Sequence, residues 1–177
     1  FKNSLLVTGK YAVIYVLAVY VLSLAAAVFV NSIKGNKRQQ MCRIAIYLPN
    51  TVSTIVAATL WTFLFNSRNG YINKILEELG IGRQLFLGSR TQALVCVAIV
   101  GIWIVFGYNM IIFLSALKDV PSEYYEAAKI DGANAVQRFF RITLPSIKGT
   151  TIFVLITSLV ASFQAFDQVR VMTSGGP

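Results

Sequence analysis

The chain of 177 residues contains no histidine, two cysteines, four prolines and only seven acidic residues. Without histidine, His-dependent zinc chemistry and His-based catalytic triads are excluded. Cys42 and Cys96 have 53 residues between them, one beside a basic loop and the other inside an apolar run. They read as small apolar residues rather than a disulfide or metal pair. No G-x-x-x-x-G-K-[ST] phosphate loop is present. The net charge of +9 is scattered among loops rather than gathered in a basic stripe interleaved with aromatics, so no nucleic-acid partner is expected. Membrane-surface charge explains the balance more simply.

What the chain has in abundance is apolar length. It is 56% hydrophobic and 13% charged, with a mean hydropathy of +0.65. A soluble domain of this size would carry far more polar surface. The expected fold is all-α, a polytopic transmembrane helical bundle. A bilayer core of about 30 Å takes roughly 20 apolar residues as helix. Tyr11 to Val30 is one charge-free run and Thr91 to Leu117 another. With the runs 44–65 and 149–167 they give four spans, at about 3–31, 44–65, 91–117 and 149–167. Within the second, Thr51, Ser53, Thr54, Ala57 and Ala58 make a face of small residues suited to close packing, and Pro49 and Asn50 mark a tolerated break.

The loops set the orientation. Residues 32–43 hold Lys34, Lys37, Arg38 and Arg43 without an acid, which places them in the cytoplasm. Residues 118–148 then return to the same side. These two loops hold nine Lys/Arg against seven elsewhere, so the acid-free loop carries more weight than the total. Residues 66–90 lie outside, and Ile72, Ile75, Leu76 and Leu79 predict a short amphipathic helix from Tyr71 to Leu79, ended by Gly80. The chain begins without an initiator Met and stops in the turn Ser174-Gly175-Gly176-Pro177. It is therefore expected to be one partial transmembrane domain, incomplete at both ends.

Between the third and fourth spans stands the most informative stretch. Pro121 opens a short helix, Ser122 and Glu123 suit its positive end, and Gly132 supplies the left-handed residue that ends it. A second short turn runs from Asn134 to Arg141, and Pro145 bends the chain before the last span. Glu126-Ala127-Ala128, three residues, Gly132, nine residues and Ile142-Thr143-Leu144-Pro145 follow at fixed spacing. Read from the residues alone, this could be an amphipathic helix lying on the membrane, but such a helix has no reason to carry Ile-x-Leu-Pro at a set distance.

The pattern resembles the EAA coupling loop of the membrane (permease) subunits of binding-protein-dependent ABC importers. Asn3-Ser4-Leu5, Gly70-Tyr71-Ile72-Asn73, Leu79-Gly80, Trp103 and Gly175-Gly176-Pro177 extend the resemblance to the sugar-importer branch, the maltose permease type. The resemblance implies a multi-pass subunit of the bacterial cytoplasmic (inner) membrane. Its implied partners are an ATP-binding subunit, a second permease subunit and an extracytoplasmic solute-binding protein. No cofactor is expected on this chain, which would be non-catalytic; ATP and Mg would sit on the partner ATPase. Coupling would fall to Tyr125, Glu126, Ala127, Ala128, Asp131, Gly132, Phe139, Leu144 and Pro145.

For the solute path, the same resemblance points to Tyr108, Ser158 and Ser162. Gly101, Val105, Ala161 and Ala165 differ from the maltose type, so maltose itself is not carried over. Asn109, Ser115 and Gln164 are added as polar groups inside spans. For each, an interhelical hydrogen bond is the structural alternative. Trp103 and Phe106 could stack on a sugar ring or simply pack. Asp167 and Arg170, three apart, read as a helix-surface ion pair or as a contact for the binding protein.

Other transport classes are disfavoured by the spans. A proton-coupled carrier would place a carboxylate or histidine within one, and an anion importer would show basic residues in its path. Apart from Lys10 near the start of the first span and Asp167 at the end of the fourth, the spans have neither, which leaves a neutral, polyhydroxylated solute ahead of an amino acid or polyamine, and a passive channel as the remote alternative.

Overall fold

The structure is a computed structural model and describes residues 2–175; the Gly176-Pro177 part of the terminal turn lies outside the described residues. It is all-α, with no strand among the described residues. Two helices are long and apolar enough to cross a membrane, α1 (Lys2–Ser32) and α5 (Ala93–Lys118). At 1.5 Å per residue α1 is about 46 Å long, more than the bilayer core requires. It ends where Ser32 Oγ donates to Phe29 O and Gln39 Nε2 donates to Val30 O, 3.0 Å away. These bonds satisfy carbonyls that a helix end leaves open. Gly35, at φ 100°, then turns the chain back.

One expected feature is corrected here: residues 32–43 are not loop throughout, since α2 begins at Asn36 and runs to Tyr47. The second span breaks at the expected Pro49 and Asn50. A tight 3-10 turn (Leu48–Thr51) separates α2 from α3 (Thr54–Leu64), and the two segments meet at 94°. Pro49 lacks a donor for the ladder, and Val52 and Ser53 are extended. Asn50 Nδ2 reaches across to Ile104 O on α5, the kind of neighbouring partner a broken span needs.

The fourth span is broken too. α9 (Lys148–Phe163) is entered through a 70° bend and stops before the separate α10 (Phe166–Thr173). By length and composition the described residues hold two spans, or up to four if each bent pair counts as one.

The core is divided into two levels. One cluster gathers Tyr11, Tyr15 and Val19 of α1, Ala57 and Ala58 of α3, the first half of α5 and Met172 of α10. The other gathers Leu24, Ala27 and Val30 of α1, Met110, Phe113, Leu114 and Leu117 of α5, with Ile147 and Val154. Helices α1 and α5 pass through both levels. Small residues let backbones approach, as transmembrane packing demands. A Cβ on Gly107 of α5 would overlap the Ile46 carbonyl of α2. At Gly101 it would press on Gln168 and the two tyrosine rings of Tyr11 and Tyr15.

Between α3 and α5 lies α4 (Tyr71–Glu78). Its end is a Schellman turn, with Gly80 at φ 77° and the bonds Gly80 N to Glu77 O and Ile81 N to Leu76 O. Asn73 is 2% exposed and fastens the loop: its amide donates to Ser67 O and Gln84 O, and its carbonyl accepts from Gln84 N. Glu77 pairs with Arg83 nearby.

Candidate functional site

The elbow between α5 and α9 is built from local rules. α6 (Ser122–Ile130) starts after Pro121 and carries Glu123 in its first turn and Lys129 in its last, each suited to the helix dipole. It closes in a second Schellman turn. Gly132 has φ 77°, its N–H donates to Lys129 O, and Ala133 N donates to Ala128 O. Asn134 then caps α7 (Ala135–Arg138) in a reciprocal capping box with Gln137, both bonds 2.9 Å.

From Phe139 to Thr143 the helix loosens into one π turn, followed by α8 (Leu144–Ser146). Pro145 has no N–H to give to the carbonyl four residues back, so the regular ladder cannot continue through it. The expected second turn of 134–141 is thus longer and irregular, and the bend falls at Ile147 rather than at Pro145.

One hydrogen bond joins the two arms, and two more brace the turn and the second arm. The Tyr125 and Thr143 hydroxyls are 3.0 Å apart, Arg138 Nη1 donates to Ala133 O at 2.6 Å, and Ser146 Oγ donates to Ile142 O at 2.7 Å. Of the nine coupling candidates, Phe139 and Leu144 pack onto the inner core beside Ile147. Tyr125 and Ala128 are half-buried, while Glu126, Ala127, Asp131, Gly132 and Pro145 are exposed. Ala127, Ala128, Asp131 and Pro145, with Tyr124 and Arg141, line an open groove of about 450 Å³. Among the described residues no ion pair ties up Glu123, Glu126 or Asp131; Arg83–Glu77 in the far loop is the one such pair.

The elbow therefore offers free carboxylates and small side chains outward while Phe139, Leu144 and Ile147 grip the bundle. Sequence reasoning passed over Thr143, buried as the partner of Tyr125, and the Asn134–Gln137 box, which the N-x-x-Q spacing could have shown. It also passed over Ile130, 88% exposed at the elbow's tip.

The solute-path candidates divide between two environments. Tyr108 is 49% exposed, sharing a face of α5 with exposed Ile111 and Ser115, and Gln164 is exposed at the break after α9. Asn109 is buried and turned back, its amide donating to Val105 O. Ser158 and Ser162 lie with Val154 on the buried stripe of α9. Ser162 Oγ bonds Leu159 O, while Ser158 Oγ has no partner among the described residues. Trp103 stacks edge-on against Trp61 with ring centres 5.7 Å apart, a packing role. Asp167 and Arg170 do not form the expected ion pair. Tyr11, bonded to Gln168 across the outer core, was missed, though a hydroxyl inside a charge-free run is itself a signal.

The chain has relatives in sequence and a neighbour in fold. The chain is 30% identical over 179 residues to a probable ABC transporter permease protein, YurN of Bacillus subtilis (strain 168), covering 100% of this chain and 61% of that protein. It is 33% identical to the trehalose/maltose transport system permease protein MalF of Thermococcus litoralis, over 100% of this chain and 59% of that one. It is 36% identical to the sn-glycerol-3-phosphate transport system permease protein UgpA of Shigella flexneri, again covering 100% and 59%. The chain thus spans about three fifths of the length of these curated relatives. A chain in the crystal structure of a bacterial ABC transporter involved in the import of the acidic polysaccharide alginate superposes with a TM-score of 0.85. That likeness, at 24% identity over 94% of this chain and 59% of the other, is one of fold. With residues 20–177 matching the family model, the chain belongs to the binding-protein-dependent transport system inner membrane components.

Proposed function

We propose that this chain is the part of an importer's membrane subunit that lines the solute path and takes its drive from a separate ATPase through the elbow 118–148. The observation that carries the reading is the elbow's division of labour. Glu126, Ala127 and Asp131 face outward, while Phe139, Leu144 and Ile147 sit on the inner core. A docking knob needs the first set and a force-transmitting lever needs the second. Closure of two ATPases on ATP and Mg would draw two such elbows together. Rigid α1 and α5 would then carry the displacement to the outer core, and hydrolysis would reset it.

In this reading the loops 32–43 and 118–148 are cytoplasmic, a second permease completes the path, and a solute-binding protein delivers cargo on the far side. The cargo is a carbohydrate, favoured by span interiors without fixed charge and by relatives named for arabino-oligosaccharides and for trehalose and maltose. Tyr108, with Ser115 on its exposed face, is the group best placed to meet it.

The test is a crosslinking experiment in the full transporter. Ala127→Cys is expected to join a cysteine placed in the ATPase cleft, with a yield that changes on adding ATP. The absence of any such product, or labelling of Ala127→Cys from the external side of intact cells, would overturn the reading. The cargo class is tested separately by thermal shift of the cognate binding protein against neutral sugars and glycerol 3-phosphate.

A further inference from the structure

Helix α4 divides its circumference into three sectors. Successive residues advance by about 100° around an α-helix. Ile72, Leu76 and Asn73 fall on one flank, and that flank is covered: Ile72 packs on the outer core and Asn73 is buried. Lys74, Glu77 and Glu78 fall on a second, charged and exposed flank. Tyr71, Ile75 and Leu79 fall on the third, and they are 66%, 57% and 69% exposed. A short surface helix on a water-soluble body keeps one apolar stripe and turns it inward. Here the apolar arc is wider than the protein beneath it can cover.

We propose that α4 is an interfacial helix, its Tyr71–Ile75–Leu79 flank seated in the bilayer at the line where protein, lipid and water meet. Three observations select lipid over a protein occupant. The first is continuity: α3, which packs against α4, also carries exposed apolar side chains, Leu60 and Phe63, so the bare apolar surface extends beyond α4 onto a helix of the second span. The second is the edge of the flank, where Lys74 Nζ lies 5.2 Å from the centre of the Tyr71 ring. An aromatic body with a cation above it fits the boundary between acyl chains and headgroups. The third is charge. Lys74 on the helix and Arg68 and Arg90 at the two ends of the 66–90 segment are exposed, and none pairs with an acid among the described residues, so they are free for lipid phosphates.

Asn73 holds the helix to Ser67 and Gln84 on either side of it. A seat in the interface therefore fixes the depth of the whole 66–90 segment, and does so whatever the cargo and whether or not the elbow docks an ATPase.

The test uses the complete transporter in vesicles of phosphatidylethanolamine and phosphatidylglycerol, with Cys42→Ala and Cys96→Ala as background. Nitroxide labels go on Ile75→Cys, Leu79→Cys and Glu78→Cys, and relaxation by oxygen is compared with relaxation by a water-soluble nickel chelate. Oxygen is expected to outpace nickel several-fold at Ile75 and Leu79, with the order reversed at Glu78. Equal or greater access of nickel at Ile75 would place the flank in water and overturn the proposal. Exclusion of both reagents there would place it under protein, which also overturns it; repeating the measurement without the binding protein then tells which protein covers it. If a label disturbs assembly, Ile75→Trp replaces it: brominated lipid should quench the added fluorescence relative to the parent, and failure to quench counts against the seat.

Discussion

The hydroxyls of Tyr125 and Thr143 meet at 3.0 Å and join the outward arm of the elbow to the arm that grips the bundle. Thr143 is buried and Tyr125 half-buried, so the bond is sheltered from competing water. Tyr125→Phe removes it and keeps the ring, at a cost of about 0.5–1.5 kcal/mol. We expect near-normal assembly but less transport per ATP hydrolysed, read in proteoliposomes by following both quantities together. Unchanged coupling would mean that the two arms are held by packing alone.

Gly132 sits at φ 77° with no backbone alternative at that turn. A β-branched residue there is strained by roughly 1–2 kcal/mol or more. Gly132→Val is expected to open the angle between α6 and α7 and uncouple ATP hydrolysis from solute uptake. Glu126→Lys should uncouple for a different reason, by reversing an exposed charge without moving the backbone. The two separate in a thermal melt, where only Gly132→Val lowers Tm.

Where α5 crosses α2, Gly107 leaves no room for a side chain. Gly107→Ala forces a methyl into the Ile46 carbonyl, and overpacking of this kind costs about 1–3 kcal/mol. The expected result is a lower Tm in detergent and poorer accumulation in the membrane. Gly149, with nothing within 4 Å of its added Cβ, is the control: Gly149→Ala should be silent.

Asn73 is the buried fastener of the loop 66–90. Asn73→Ala leaves the Gln84 N–H and the Ser67 and Gln84 carbonyls without their partner. Each such buried group costs about 1–3 kcal/mol. We expect proteolysis within residues 66–90 to rise before the bundle itself loosens, as limited trypsin digestion at Arg83 or Arg90 would register. Asn73→Asp keeps the acceptor and should fall between.

Hydropathy showed where this chain is helical and the spacing of small residues and prolines showed where it turns. The charge-free stretches Tyr11–Val30 and Thr91–Leu117 become single helices because nothing in them interrupts the ladder. Gly80 and Gly132 end helices because their left-handed backbone closes a Schellman turn. The break in the fourth span was not legible, nor was the sharpness of the one at Pro49 and Asn50 in the second. Apolar composition is the same in a straight helix and in two helices meeting at 94°, and only packing against α5 decides between them. The extent of α2 was hidden likewise, because a basic stretch reads as loop until Gln39 and Arg43 are seen bonded to each other along one helix face. For the solute path the sequence named residue types but not facings: Tyr108 and Asn109 are neighbours in the chain, and one looks out while the other looks in.

The division of the interior into two separate apolar clusters, bridged by α1 and α5, lets selection work on each storey alone. Substitutions among Tyr11, Tyr15, Gly101 and Gln168 can reshape the upper storey without touching the side chains on which Phe139 and Leu144 rest.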